Sequence, residues 1–180
     1  MTNIDQDKKA AWLGELAEFI VEANQQTWAA DKGEVQSPLP GMKVHEYKKG
    51  PWLLRDEYAG YFTAPGLTRV WYKEIPSWHM FYGGYGMETP HYDLVKPAFI
   101  FLRNALMQVT PDLPFRGPKS YSENDWKYYF KIKTPGGNIQ YTQWEELVDK
   151  QNNLIFSQEG FAGIYIHKDS NRQPVYPWNT

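Results

Sequence analysis

The chain has 180 residues, with 19 Lys and Arg against 21 Asp and Glu, a formal charge of -2, and no cysteine. That length suits one domain; the charge gives no strongly basic footprint for nucleic acid and no drive toward an anionic membrane. The missing thiol removes disulfides, thiolate nucleophiles, zinc fingers and iron–sulfur clusters together.

In chain order, the first periodic segment covers about 5–26. Trp12, Leu16, Phe19, Ile20 and Ala23 recur at helical spacing, with Lys8, Lys9, Glu15, Glu18 and Glu22 mostly on other faces. Residues 31–41, with Gly33, Pro38, Pro40 and Gly41, read as a loop. Strands are then expected at 42–47, 52–58, 67–72 and 78–82; the last has bulk on both sides, the mark of a central strand. A second helix is expected over about 93–109, with Asp93 as its cap, Pro97 in its first turn and Pro111 beyond its end. After a loop with Pro114, Gly117 and Pro118, Trp126, Tyr128, Phe130 and Ile132 alternate with Lys127, Tyr129, Lys131 and Lys133. This is the clearest half-buried strand in the chain. Further strands are expected at 138–147, 154–157 and 161–167, and 169–180 reads as an irregular tail.

This order predicts a single α+β domain over 1–168. It would consist of two α-β-β-β repeats, about 5–86 and 93–168, forming a curved, mostly antiparallel sheet with two helices on one face. Matching pieces about 80 residues apart support duplication. Phe19-Ile20 with Ala23 parallels Phe101-Leu102 with Ala105, Tyr82 and Gly84 parallel Phe161 and Gly163, and the Ala64, Gly66, Thr68, Val70 series parallels Tyr141, Gln143, Glu145, Leu147.

Several segments also carry a resemblance: Arg55 to Gly60; the Pro76, Trp78, Met80, Tyr82, Gly84 series; Pro114-Phe115-Arg116-Gly117-Pro118; the Tyr141, Gln143, Glu145, Leu147 series; and Phe161-Ala162-Gly163. Together, over about 12–167, they resemble a bacterial and archaeal domain-of-unknown-function family that occurs alone or behind a Cro/C1-type helix-turn-helix. Thr68 stands where that pattern usually has Glu, and Gln143 where it usually has Gly. Only one helix precedes the first strands here, so no helix-turn-helix is expected. The resemblance implies a fold and a sensing role beside DNA-binding domains, but no activity.

The chemistry-bearing residues are sparse. His45, His79, His91 and His167 show no metal-ligand spacing, and no Gly-x-Ser-x-Gly elbow is present. Gly83-Gly84-Tyr85-Gly86 lacks the Lys-Ser/Thr of a phosphate loop. No metal or cofactor is therefore expected. Glu145 and Glu146 sit among apolar neighbours, Asp56 and Glu57 flank Tyr58, and Arg116 is set in a rigid Phe-Arg-Gly-Pro turn suited to carboxylate recognition or to locking a loop onto Glu145.

Aromatics are the outlying composition, with 8 Trp, 13 Tyr and 9 Phe making 17% of the chain. Two helices cover one face of a sheet, so aromatics on both faces predict a pocket or a partner surface. The reading is a non-catalytic small-molecule-binding or sensing domain with a pocket lined by Trp71, Trp78, His79, Tyr82 and Tyr141, and with Arg116 and Glu145 as polar anchors. The alternatives are an enzyme using His79 or Glu145 as general base, or a protein-interaction module, including a homodimer. The polar N-terminus has no apolar leader core, and mean hydropathy is -0.65. A cytoplasmic protein that binds neither nucleic acid nor membrane is expected.

Overall fold

The computed structural model describes residues 3–180. Helix α1 (Asn3–Gln26) leads through a short strand β1 (Glu34–Val35) into a meander of β2 (Lys43–Lys49), β3 (Trp52–Tyr58), β4 (Gly66–Tyr72) and β5 (Ile75–Met87). Helix α2 (Val95–Leu106) precedes a second meander of β6 (Ser120–Glu123), β7 (Trp126–Ile132), β8 (Tyr141–Lys150) and β9 (Asn153–Ile164). The strands pair antiparallel in the order β1-β2-β3-β4-β5-β9-β8-β7-β6, so the two halves meet along β5 and β9. The expected α+β class with two helices and one large antiparallel sheet is what forms.

Four main strands follow each helix rather than three. β1 lies in the 31–41 segment that reads as a loop and β6 in a stretch to which the sequence assigns no element, while the strand expected at 154–157 and most of that expected at 161–167 are one strand, β9, with His167 outside it. Gly160 does not interrupt it. A Cβ at this position would strike the Trp144 ring and the Phe81 carbonyl, so glycine is what lets three strands pack here. Helix α2 is shorter than the periodicity suggests. Residues Thr89–Leu94 form a 3-10 segment in which His91 leaves helical geometry (φ -118°), and Pro97 sits in the first helical turn, where no N–H is required.

The two helices share one face of the sheet. On α1 the buried stripe is Trp12, Leu16, Phe19, Ile20 and Ala23. Phe19 stacks on Trp52 at 5.5 Å, and Trp12 lies 5.4 Å from Trp52 and 6.1 Å from Tyr72. On α2, Ala98, Phe101, Leu102, Ala105 and Leu106 are buried, with Phe101 5.6 Å from both Tyr121 and Trp126. The C-terminal tail is more ordered than its composition suggests. It pairs β10 (His167–Lys168) with β11 (Pro174–Val175) and seats Trp178 6.2 Å from Trp12, under Lys9. No helix among the described residues is long and apolar enough to cross a membrane.

The opposite, outer face carries charge in paired rows. Arg55 bridges Glu46 and Glu57 at 3.0 Å each, Arg69 meets Glu57 at 2.8 Å, and Lys133 meets Glu159 at 2.9 Å. Between these rows, Phe81, Phe161 and Tyr141 are exposed.

On the helix-covered face, the register of β8 aligns Thr142, Trp144, Glu146 and Val148, all buried. Glu146 is a fully buried carboxylate. Arg116 donates to it from Nη2 at 3.0 Å and Nε at 3.3 Å, the Tyr128 hydroxyl donates at 2.9 Å, and Gln158 Nε2 completes the set. This network pins the segment after α2 to the sheet. Glu146→Ala leaves a desolvated guanidinium without its partner, so urea unfolding is expected to show a loss of about 3–5 kcal/mol. Glu145→Ala, on the outer face beside Lys133, is expected to cost less than about 1 kcal/mol. Equal losses would contradict this placement.

Candidate functional site

A cavity of about 140 Å³ lies where the two halves meet, between the sheet, the end of α1 and helix α2. Its sheet wall comes from β3 (Leu54, Asp56, Tyr58), β4 (Thr68), β5 (Met80, Tyr82) and β9 (Phe156, Gln158). The helices supply Asn24, Phe99, Leu102, Arg103 and Leu106, the turn after α1 supplies Thr27 and Trp28, and Phe115 and Arg116 close it from the loop after α2. Lys43, Gly60 and Tyr61, all exposed, rim its mouth.

Local sequence explains the geometry. In β3, Trp52, Leu54 and Asp56 alternate toward the helices, so the strand period that buries the first two also turns Asp56 inward. Its carboxylate accepts from Thr68 Oγ1 at 2.7 Å, and the Tyr82 hydroxyl lies 3.0 Å from both of its oxygens. Tyr82 reaches Asp56 across β4 because the intervening position is Gly66; a Cβ there would collide with the Tyr82 hydroxyl. The Arg116 guanidinium lies over the Tyr82 ring, 5.3 Å from its centroid. The polar floor is thus a chain of contacts: Thr68 and Tyr82 to Asp56, Arg116 over Tyr82, and Glu146 behind Arg116.

Electrostatics separates the two carboxylates. Burial pushes the Asp56 carboxyl above its ordinary value, against the opposing effects of the Thr68 hydrogen bond, the Arg116 charge, the Tyr82 hydrogen bond and the charge of His45 across the strand pair. Asp56 still retains accessible surface, and that surface is cavity wall. Burial alone would lower Arg116, but the Glu146 charge and hydrogen bonds outweigh it and hold the guanidinium protonated. Burial also drives the Tyr82 hydroxyl well above its usual range, helped by the Asp56 charge, so it stays a donor.

Of the residues expected to line a pocket, the structure brings together Tyr82 and Arg116. Trp78 is sealed in the core, its indole N–H donating to Ile139 O at 3.0 Å. Trp71, His79, Tyr141 and Glu145 belong to the outer face, with Tyr141 62% exposed. His79 packs between Phe81 (5.4 Å) and Tyr165 (4.8 Å), and burial holds its pKa below the ordinary value. The partner that Arg116 locks onto is Glu146, not Glu145, which instead lies 3.7 Å from Lys133. The inward register was available from Trp144 and Val148, whose bulk marks the buried side of β8 and places Glu146 with them. Asp56 had the same signal in Trp52 and Leu54. Thr68 and Gln158 carried none, because short polar residues in strands are ordinary surface residues.

Comparison with curated proteins finds no match, and comparison with solved structures finds none either. A family model described as a domain of unknown function (DUF5680) matches residues 56–165. That stretch is more than half of the chain and holds Asp56, Thr68, Tyr82, Arg116, Glu146 and Gln158, the whole polar floor of the cavity. The chain therefore belongs to the DUF5680 family.

Proposed function

We propose that this protein is a non-catalytic small-molecule-binding domain whose ligand occupies the cavity between its two halves. The observation that carries the reading is a mixed lining: aromatic and aliphatic walls around a carboxylate that is half-buried, reachable and, among the described residues, without a cation paired to it. Ligand pockets share that balance of apolar lining and a few placed polar groups. The volume is modest. A cavity of about 150 Å³ accepts one benzene ring, so the ligand is one ring or its equivalent.

The fold supports a sensing role through its symmetry of construction. Each half is a helix followed by a four-strand meander, and Phe19, Ile20 and Ala23 occupy buried helix positions matched by Phe101, Leu102 and Ala105. We take these as two copies of one ancestral unit. A ligand at their junction touches both, so binding would shift how the halves sit together.

The alternatives have less support. His79 and Glu145, the general bases of the enzyme reading, both lie on the face away from the cavity. The exposed Phe81 and Phe161, 5.3 Å apart, are the feature that favours a protein-interaction face. They are flanked by charges already paired among themselves, as on a solvated surface.

Two measurements test the proposal. Thermal-shift screening of ring-sized metabolites is expected to give saturable stabilisation of the native chain that Ala64→Trp, at the cavity wall, abolishes. Hits that survive this substitution, or no hits at all, would count against the cavity. The second concerns pH. An acid whose folded pKa is raised contributes stability fully present below its unfolded value of about 3.8, and that stability is lost as pH rises through the folded value. Asp56→Asn escapes that loss, so its denaturation midpoint is expected to gain on the native chain between acid and neutral pH. A variant midpoint that instead falls further behind the native chain as pH rises over this range would show that Asp56 is stabilised as an anion.

A further inference from the structure

The charged groups of the cavity narrow the ligand further, on the reading that the cavity is a ligand site. Lys43, Arg103 and Arg116 line it together with one carboxylate, Asp56. Two of the cations have partners, Arg103 with Asp31 at 2.7 Å and Arg116 with Glu146 at 3.0 Å. With those partners included, the charges cancel. An organic cation would approach Asp56 past Lys43 and Arg103, and an anion would be brought against Asp56 itself. A neutral molecule meets neither conflict.

The hydrogen-bonding groups left open specify more. Arg116 uses Nε and Nη2 on Glu146; Nη1 has no partner among the described residues, and Arg116 lines the cavity. Asp56 takes two protein donors, the hydroxyls of Thr68 and Tyr82. An ionised carboxylate has about four acceptor sites, so it retains acceptor capacity toward the cavity. Each of these groups is held firmly: Arg116 by a buried carboxylate on one side and the Tyr82 ring on the other, Asp56 by two hydroxyls. The floor therefore offers a fixed donor and a fixed acceptor on the two sides of Tyr82, both lining one cavity. Around them, Phe99, Phe115 and Phe156 present apolar surface.

We infer that the ligand is a small neutral ring carrying an N–H donor beside a carbonyl, its donor directed to Asp56 and its carbonyl to Nη1 of Arg116. Such a lactam-type edge satisfies both open groups at once. A ring that lacks either function leaves a buried polar group desolvated and unpaired, which is where discrimination comes from.

The test is an NMR titration of the full chain with 2-pyridone, N-methyl-2-pyridone, toluene, benzylamine and benzoate at neutral pH. 2-Pyridone is expected to bind at least about tenfold more tightly than each of the other four, one missing buried hydrogen bond being worth about that factor. Asp56→Asn is expected to remove its advantage over N-methyl-2-pyridone. The N-methyl comparison depends on no substitution in the protein, so it remains decisive if the variant fails to fold. Toluene binding as well as 2-pyridone would overturn the lactam inference and leave the cavity as an apolar ligand site. Benzylamine or benzoate binding most tightly would overturn it in favour of a charged ligand. If none of the five binds, both the inference and the binding reading fall.

Discussion

The helix-covered face holds two inward carboxylates, and how each is balanced sets the rest of the site. Glu146 is neutralised within the fold: a guanidinium, a phenol and an amide all donate to it, and none of its surface reaches solvent. Removing a charge from water this completely is tolerated only with such partners. Asp56 has hydroxyl donors but, among the described residues, no cation paired to it, because the nearby Arg116 is already committed to Glu146. One carboxylate therefore serves the structure, and the other is left with unmet demand facing a cavity.

The architecture puts that imbalance in a useful place. Each helix lies over its own half of the sheet, α1 against Tyr47 and Trp52 and α2 against Tyr121 and Trp126. Neither fills the seam where β5 meets β9. The segment after α2 closes the seam through Phe115 and Arg116, and Glu146 holds that segment down. The buried ion pair is thus a positioning device for the cavity wall. Losing it would release Arg116 and open the floor, and the same residues that keep the loop in place also aim the free edge of the guanidinium.

Much of the fold was legible in the sequence. Helical periodicity located both helices, because Trp12, Leu16, Phe19 and Ile20, and Ala98, Phe101, Leu102 and Ala105, repeat at spacings that have no strand reading. Alternation located β7, where every second residue is large and apolar. Boundaries were harder. Gly160 reads as a break, yet its lack of a side chain is what continues the strand beneath Trp144. The site was half legible. Arg116 stood out because a rigid turn surrounds it, and Tyr82 because of its strand. Glu145 and Glu146 differ by one residue, and in a strand one residue is the whole thickness of the sheet. The repeat alignment matches Glu145 with the buried Thr68, whereas the local alternation of Trp144 and Val148 puts Glu146 on the buried side. The aromatic excess likewise divides between a core under the helices and an outer face studded with paired charges, and only the first part borders the cavity.

The proposed site depends on Asp56 being a half-buried anion with no cation paired to it among the described residues, and a carbon-detected NMR titration of its side-chain carboxyl in the free protein measures this directly. The account predicts a midpoint above the ordinary aspartate value of 3.8, displaced toward neutral pH by burial. A midpoint at or below 3.8 would mean that the fold already satisfies Asp56 as an anion, and would remove the unmet demand on which the proposed binding site depends.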